Sequence, residues 1–157
     1  MDIMDIFVII PVYNEQESLP GLFKQLVPAI DNLKRECEII FVNDGSWDAS
    51  LPLLLQEFKK RLDIIKILDL NGNFGQHAAI MAGFQATQGE IIITMDADLQ
   101  NLPEEIPKII AYMGKGHDVV RTIRENRKDS VGEYIGRIYQ EVRKRPHFIV
   151  RKFYQKN

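Results

Sequence analysis

Two aspartates one residue apart, Asp96 and Asp98, follow the apolar run Ile91–Met95. In extended chain, residues i and i+2 project to the same side, so this spacing aims both carboxylates at one point. Gln100 joins them if the extension continues. Hard oxygen ligands of this kind suit Mg²⁺ or Mn²⁺ shared with a diphosphate, whose charge the metal would neutralise. The plainer alternative is that Asp98 caps the helix entered near Pro103, or that the acids occupy a solvated turn. Asn43-Asp44-Gly45-Ser46 also closes an apolar run. Gly45 permits a tight turn with positive φ, and Asp44 offers acceptors to a base or a ribose; an Asx-type turn explains the same residues. Pro11-Val12-Tyr13-Asn14-Glu15 presents an aromatic ring, for stacking or for packing, beside a carboxylate. Asn73, Gly75, Gln76 and His77 open a helix whose N-terminus can face an anion. His77 is equally a surface or capping residue. The Lys-Ser/Thr of a P-loop is absent, and no Gly-x-Gly-x-x-Gly follows the first strand.

These residues need strands that end together. Ile6–Ile10 is a short apolar run, predicted as a buried strand; Glu38–Val42, Ile64–Leu70 and Ile91–Met95 read as further strands, with His117–Val120 as a short fifth. Between them lie helical patterns. Leu19, Leu22, Phe23, Leu26, Val27, Ile30 and Leu33 follow Ser18 as N-cap, with Pro28 expected to kink or end that helix early. Further helices are predicted from Asp48 to about Arg61, over Phe74–Gln88 with Gly89 as a stop, and over Pro103–Met113. The alternation predicts an α/β fold with a mostly parallel sheet and helices on both faces. Ligands on such sheets bind beyond the carboxyl ends of the strands, where all four polar clusters fall.

The four clusters together are more specific than any one. Ile9-Ile10-Pro11-Val12-Tyr13-Asn14-Glu15, Val42-Asn43-Asp44-Gly45-Ser46, Asn71-Gly72-Asn73-Phe74-Gly75-Gln76 and Met95-Asp96-Ala97-Asp98-Leu99-Gln100 occur in this order. The sequence resembles the inverting family 2 glycosyltransferases of GT-A fold, a Rossmann-like nucleotide-binding half. It is most similar to the polyprenyl-phosphate types, dolichyl-phosphate mannosyl and undecaprenyl-phosphate glucosyl or aminoarabinose, over roughly residues 5–124. The resemblance implies a hexosyl- or pentosyltransferase taking a UDP- or GDP-linked nucleotide sugar. Pro11, Tyr13, Glu15 and Asp44 would hold the nucleoside, with Asn73 and Gln76 at the third cluster. Asp96 and Asp98 would form the DXD-like metal and diphosphate site, with Gln100 beside it and Mg²⁺ or Mn²⁺ as cofactor. Arg124 would approach phosphate. Arg121 stands where the family has a small residue, usually Gly.

After Arg121 the pattern changes. Val131, Tyr134, Ile135, Ile138, Tyr139 and Val142 mark an amphipathic helix, closed by Arg143-Lys144-Arg145-Pro146. This piece resembles the cytoplasmic tail that follows the last membrane helix in the same subgroup. An internal deletion between about Ser130 and Val131 is therefore expected, removing the acceptor half and the membrane helices. The predicted organisation is a nucleotide-sugar-binding half over 1–124, a linker over 125–130 and a basic amphipathic tail over 131–157. Residues 1–120 hold 9 Lys/Arg against 18 Asp/Glu, and residues 121–157 hold 11 against 4. An acidic body excludes nucleic acid as a partner; a basic tail suits phosphates or an anionic membrane face.

The whole chain, at 157 residues with 45% hydrophobic and 27% charged, has the composition of one globular domain. No apolar run approaches the roughly 18 residues of a membrane span, and Asp2 and Asp5 stand where a signal peptide is basic. The single Cys37 permits no internal disulfide. A cytoplasmic protein is expected, or one peripheral on the cytoplasmic face of a membrane. Polyprenyl phosphate is the implied acceptor. A truncated nucleotide-binding remnant, or a protein that self-associates or docks on membranes through 131–157, are the alternatives.

Overall fold

The structure is a computed structural model describing residues 6–88, 91–100, 102–116, 119–120 and 148–156. Five strands form one sheet: β1 (Ile6–Val12), β2 (Cys37–Asn43), β3 (Ile65–Leu70), β4 (Ile91–Thr94) and β5 (Val150–Tyr154). Their order is β4-β1-β2-β3-β5; β1 pairs parallel with both β2 and β4, and β2 with β3. The helices are α1 (Leu19–Asp31), α2 (Ser50–Lys60), α3 (Gln76–Gln85) and α4 (Ile106–Met113), the last entered through a 3₁₀ turn at Pro103–Glu105.

Both faces of the sheet are covered, so the central strands β1 and β2 are mainly apolar on both sides. Ile6, Val8, Ile10 and Val12 of β1 join a core with Leu19, Leu22, Leu26 and Ile30 of α1, Leu54 of α2 and Ile106 and Ile110 of α4. The alternate residues Phe7 and Ile9 pack on the opposite face with Ala79 and Ala82 of α3. This is the period of two expected of a strand, read against a different helix on each side. The mostly parallel α/β sheet with helices on both faces is the architecture that the alternation predicts.

Several boundaries differ from expectation. Helix α1 runs through Pro28 to Asp31. Proline removes the bond to the carbonyl of Lys24, but Pro28 and Lys24 are both exposed, so water can satisfy that carbonyl. Helix α3 begins at Gln76 rather than Phe74, because Gly75 takes φ +94°. Helix α2 begins at Ser50 rather than Asp48, and Asp48 Oδ1 instead accepts from the Ser50 amide at 2.9 Å. The fifth strand is not 117–120. Val119 and Val120 belong to no strand, and His117 and Asp118 lie outside the described residues, as do Gly89 and the helix predicted over Val131–Val142. The fifth strand is instead Val150–Tyr154, antiparallel to β3, which hydropathy did not reveal. Among the described residues, no helix is long and apolar enough to cross a membrane.

Candidate functional site

Strand β1 lies between β2 and β4, so the connections leave it in opposite directions, and a crevice opens beyond the carboxyl ends of the strands there. A cleft of about 730 Å³ occupies this position. Its walls come from all four polar clusters: Pro11, Tyr13 and Glu15 after β1, Asp44 after β2, Asn73 and Gln76 around the start of α3, and Asp96, Asp98 and Gln100 after β4. Every predicted site residue that the structure describes borders this one cleft; Arg124 lies outside the described residues.

The loops are fixed to one another by a lattice of polar contacts. The Asp44 amide donates to the Val12 carbonyl at 2.8 Å. The Asp44 side chain, 3% exposed, accepts from the amides of Phe74 at 2.8 Å and Gly75 at 2.9 Å, one to each oxygen. Charge-assisted bonds of this type are about twice as strong as neutral ones. They bind the second cluster to the third, and Asp44 is both a cleft wall and a latch. Gly45, with φ +68°, lies so close to Gly72 and Asn73 that a Cβ there would fall 2.4 Å from the Gly72 carbonyl carbon. Only glycine permits that approach in that conformation.

The first and second clusters interlock in the same way. The Asn14 amide donates to Ser46 Oγ at 3.0 Å, and the Trp47 amide donates to Asn14 Oδ1 at 3.0 Å. Asn14 takes φ +54°, a region asparagine tolerates better than most residues. The Glu15 amide donates to Ser50 Oγ at 2.8 Å, with Ser50 fully buried. Ser18 occupies the N-cap of α1, as predicted, but its hydroxyl donates to Glu15 Oε2 at 2.6 Å instead of capping an amide. Partial desolvation opposes ionisation of Asp48, yet hydrogen bonds from Ser50 and the Gln16 amide hold its carboxyl below the usual value.

The Asp96–Asp98 segment differs from the extended form expected of it. Strand β4 ends at Thr94, and the chain bends through Ala97–Leu99, where Leu99 takes φ +61°. A left-handed leucine costs about 1–2 kcal/mol. Packing offsets this: Leu99 joins the α1-side core and sits against Gly21, where an added Cβ would meet its Cδ1 at 3.0 Å. Gln76 Nε2 donates to Asp96 Oδ1 at 2.6 Å, orienting that carboxylate. Asp98 Oδ1 accepts from the Gln100 amide at 3.0 Å, the turn role left open by the spacing, while both carboxylates still border the cleft.

Metal coordination can be tested on the donor set. Asp96, Asp98 and Gln100 supply side-chain oxygens, hard donors that fit Mg²⁺ or Mn²⁺. Among the described residues, no three His, Cys, Asp or Glu side chains gather as a closed metal cage. The set therefore fits a metal completed by ligand oxygens and water, the usual manner of Mg²⁺. The described lining carries four carboxylates and no basic side chain.

Sequence reasoning missed a buried polar pair behind the cleft. Asn43 Nδ2 donates to Asp69 Oδ1 at 2.8 Å, with the two residues 1% and 2% exposed. The available signal was Asp69, a lone aspartate between Leu68 and Leu70 in β3.

The glycosyl transferase family 2 profile matches residues 7–156. The chain is 50% identical over 129 residues to the undecaprenyl-phosphate 4-deoxy-4-formamido-L-arabinose transferase of Salmonella choleraesuis (strain SC-B67), covering 82% of this chain and 39% of that protein. It thus spans about two-fifths of that relative's length. Among solved structures, S. aureus TarS in complex with UDP-GlcNAc matches with a TM-score of 0.58 at 20% identity, over 81% of this chain and 37% of that one. The mannosyltransferase PcManGT from Pyrobaculum calidifontis, in complex with GDP-Man and Mn2+, matches with a TM-score of 0.51 at 21% identity, over 59% and 27%. At these identities the structural likeness concerns the fold alone.

Proposed function

The chain belongs to glycosyl transferase family 2, and from that premise we propose that its cleft binds a UDP- or GDP-linked sugar through a divalent cation on Asp96 and Asp98. One observation carries the reading: four carboxylates and no basic side chain in the described lining. All four accept hydrogen bonds: Asp44 from two backbone amides, Glu15 from Ser18, Asp96 from Gln76 and Asp98 from the Gln100 amide. These donors are neutral, so the acidic character of the described lining stands. A diphosphate would be repelled there unless a cation lay between. When bound, Mg²⁺ or Mn²⁺ supplies the positive charge that a departing diphosphate needs.

The proposed roles follow the family resemblance. Tyr13, 45% exposed at the cleft edge, offers a ring face to the base. Pro11 and Glu15 border the nucleoside from β1, with Asp44 opposite. Asn73 and Gln76 flank the diphosphate at the start of α3, and Arg124 keeps the phosphate role that the family resemblance implies. The proposed reaction is inverting transfer to a polyprenyl phosphate, the carrier named in the aminoarabinose relative. An acceptor phosphate oxygen attacks the anomeric carbon; the bond from that carbon to the diphosphate breaks on the opposite side. The nucleophile is already anionic, so a strong general base is less necessary than for a hydroxyl acceptor. The basic piece over 131–157, whose end pairs with β3 as β5, is proposed as a membrane-side or self-association element through the helix expected over 131–142.

A second reading is a binding module without turnover. It is favoured by the same lining, whose described residues offer no basic group to an acceptor phosphate. Calorimetry with UDP, GDP and CDP, with and without Mn²⁺, tests the common part. Binding of one diphosphate only with metal is expected, with Asp96→Asn/Asp98→Asn abolishing the metal dependence and sparing the free nucleoside. Equal affinity for diphosphate and nucleoside would refute the proposal. A transfer assay to polyprenyl phosphate then separates the two readings.

A further inference from the structure

Asp69 is a carboxylate in the middle of a sheet and 2% exposed, a position that is costly unless its oxygens are satisfied. Oδ1 accepts from Asn43 Nδ2 at 2.8 Å, directly across the β2–β3 register. Asn43 Oδ1 in turn accepts from the Ser46 amide at 3.3 Å, in the loop that carries Asp44. Oδ2 lies 3.6 Å from Arg151 Nη1 of β5. Arg151 Nε also donates to Asn71 Oδ1 at 3.4 Å, and the Asn71 amide donates to the Ile149 carbonyl at 2.8 Å.

Arg151 reaches this place through an irregularity in pairing. Asp69 opposes Lys152 and Leu70 opposes Val150, so Arg151 is the extra residue of a β-bulge. A bulge re-aims the side chain of the inserted residue. Here it turns the guanidinium toward the end of β3. The outcome is a continuous line of contacts from an edge strand, through two buried polar side chains, to the loops of the cleft. None of the three side chains lines the cleft itself.

We infer that Asn43, Asp69 and Arg151 are positioning residues that couple the docking of β5 to the order of the 43–46 loop, and through Asp44 to nucleotide affinity. Removing Arg151 leaves the buried carboxylate with Asn43 alone. The carboxylate is then no longer held from the β5 side, so the Asn43 amide that it orients, and with it the acceptor of the Ser46 amide, is fixed less firmly. Asp44, two residues before Ser46, holds the Phe74 and Gly75 amides, so both loops loosen together. By linkage, nucleotide binding and β5 docking must strengthen each other by the same factor. The nucleotide part rests on the function proposed above; the loop part does not.

Amide hydrogen exchange of the full chain, without ligand, tests the relay directly. Arg151→Gln is expected to raise exchange at 44–47 about two- to fivefold, the range of an exposed ion pair, with core strand β1 unchanged. Arg151→Lys should restore part of the protection. Lys152→Gln, which removes a neighbouring charge on the same strand, should leave 44–47 unchanged. Asp69→Asn should reproduce the effect, but Arg151→Gln carries the test because its side chain is more than half exposed and its loss spares the core. Exchange at 44–47 in Arg151→Gln equal to that in Lys152→Gln would overturn the relay, whether or not nucleotide binds. A uniform rise across all strands would overturn it too, since that is loss of global stability. UDP or GDP with Mn²⁺ should then bind Arg151→Gln more weakly by the same two- to fivefold; unchanged affinity would overturn the coupling. Loosened loops together with no nucleotide binding by the unsubstituted chain would support the relay and overturn the reading of the cleft.

Discussion

Substituting Gly45 by alanine tests the contact that closes the cleft loops. A Cβ at Gly45 would lie 2.4 Å from the Gly72 carbonyl carbon, 2.6 Å from the Asn73 nitrogen and 2.8 Å from the Gly72 Cα. These are backbone atoms, so no side chain can swing aside and the two loops must separate. Two terms add. The left-handed conformation costs an L-residue about 1–2 kcal/mol, and forcing a methyl group into filled space about 1–3 kcal/mol. Gly116→Ala isolates the first term, since Gly116 also has positive φ, +88°, but a Cβ there meets nothing within 4 Å. The steric excess of Gly45→Ala over Gly116→Ala is thus about 1–3 kcal/mol. For a chain of this size that lowers Tm by roughly 2–12 °C more. Thermal melts by circular dichroism, with urea titrations for the free energies, measure both variants. Nucleoside-diphosphate affinity should fall in Gly45→Ala and hold in Gly116→Ala, which is far from the cleft in sequence and on an exposed turn. If the two variants melt together, the loops are not in contact in solution and the latch built on Asp44 is refuted.

Other perturbations separate the parts of the site. Gln76→Ala should weaken metal-dependent diphosphate binding by removing one hydrogen bond that orients Asp96, while leaving Tm nearly unchanged because Gln76 is exposed; a large Tm loss would mean a structural role instead. Ser50→Ala leaves the Glu15 amide without its 2.8 Å acceptor, and should lower stability by about 1–3 kcal/mol in urea titrations; no change would mean water replaces the hydroxyl. Desolvation by burial, with the charge of Glu38 adding to it, pushes the Cys37 thiol up to about 12. The folded chain then keeps a proton that the unfolded chain loses above about pH 9, so stability should fall as pH rises from there towards 12. Cys37→Ala should remove that slope, and an unchanged slope would assign it to another group. In the native state at pH 8, Cys37 should react with thiol reagents only as fast as the protein opens.

How much of this was legible in the chain depends on the range of the interactions. Mainly apolar runs bounded by Asn, Asp and Gly marked β1 to β4, because a strand buried on both faces carries few polar side chains along its length. The clusters after those runs were legible for the complementary reason: polar groups rejected by the core collect where strands emerge. Their gathering at one cleft was also foreseeable, since parallel strands point the same way. Strand β5 was not legible. Val150-Arg151-Lys152-Phe153-Tyr154 is an edge strand whose exposed residues carry no burial pattern, and its pairing with β3 joins residues some eighty positions apart. The details of the cleft were decided in the same long-range way. Asp44 reads as a binding residue in sequence, yet its two oxygens are taken by amides thirty residues later. Asp96 and Asp98 were expected on an extended strand, but the chain bends at Leu99 because its side chain has a place against α1. Local sequence determined which segments are strands and where polar groups collect, since burial acts on each segment's own composition. Only the tertiary structure decided which polar groups partner one another, since hydrogen bonds depend on atoms brought together from distant parts of the chain.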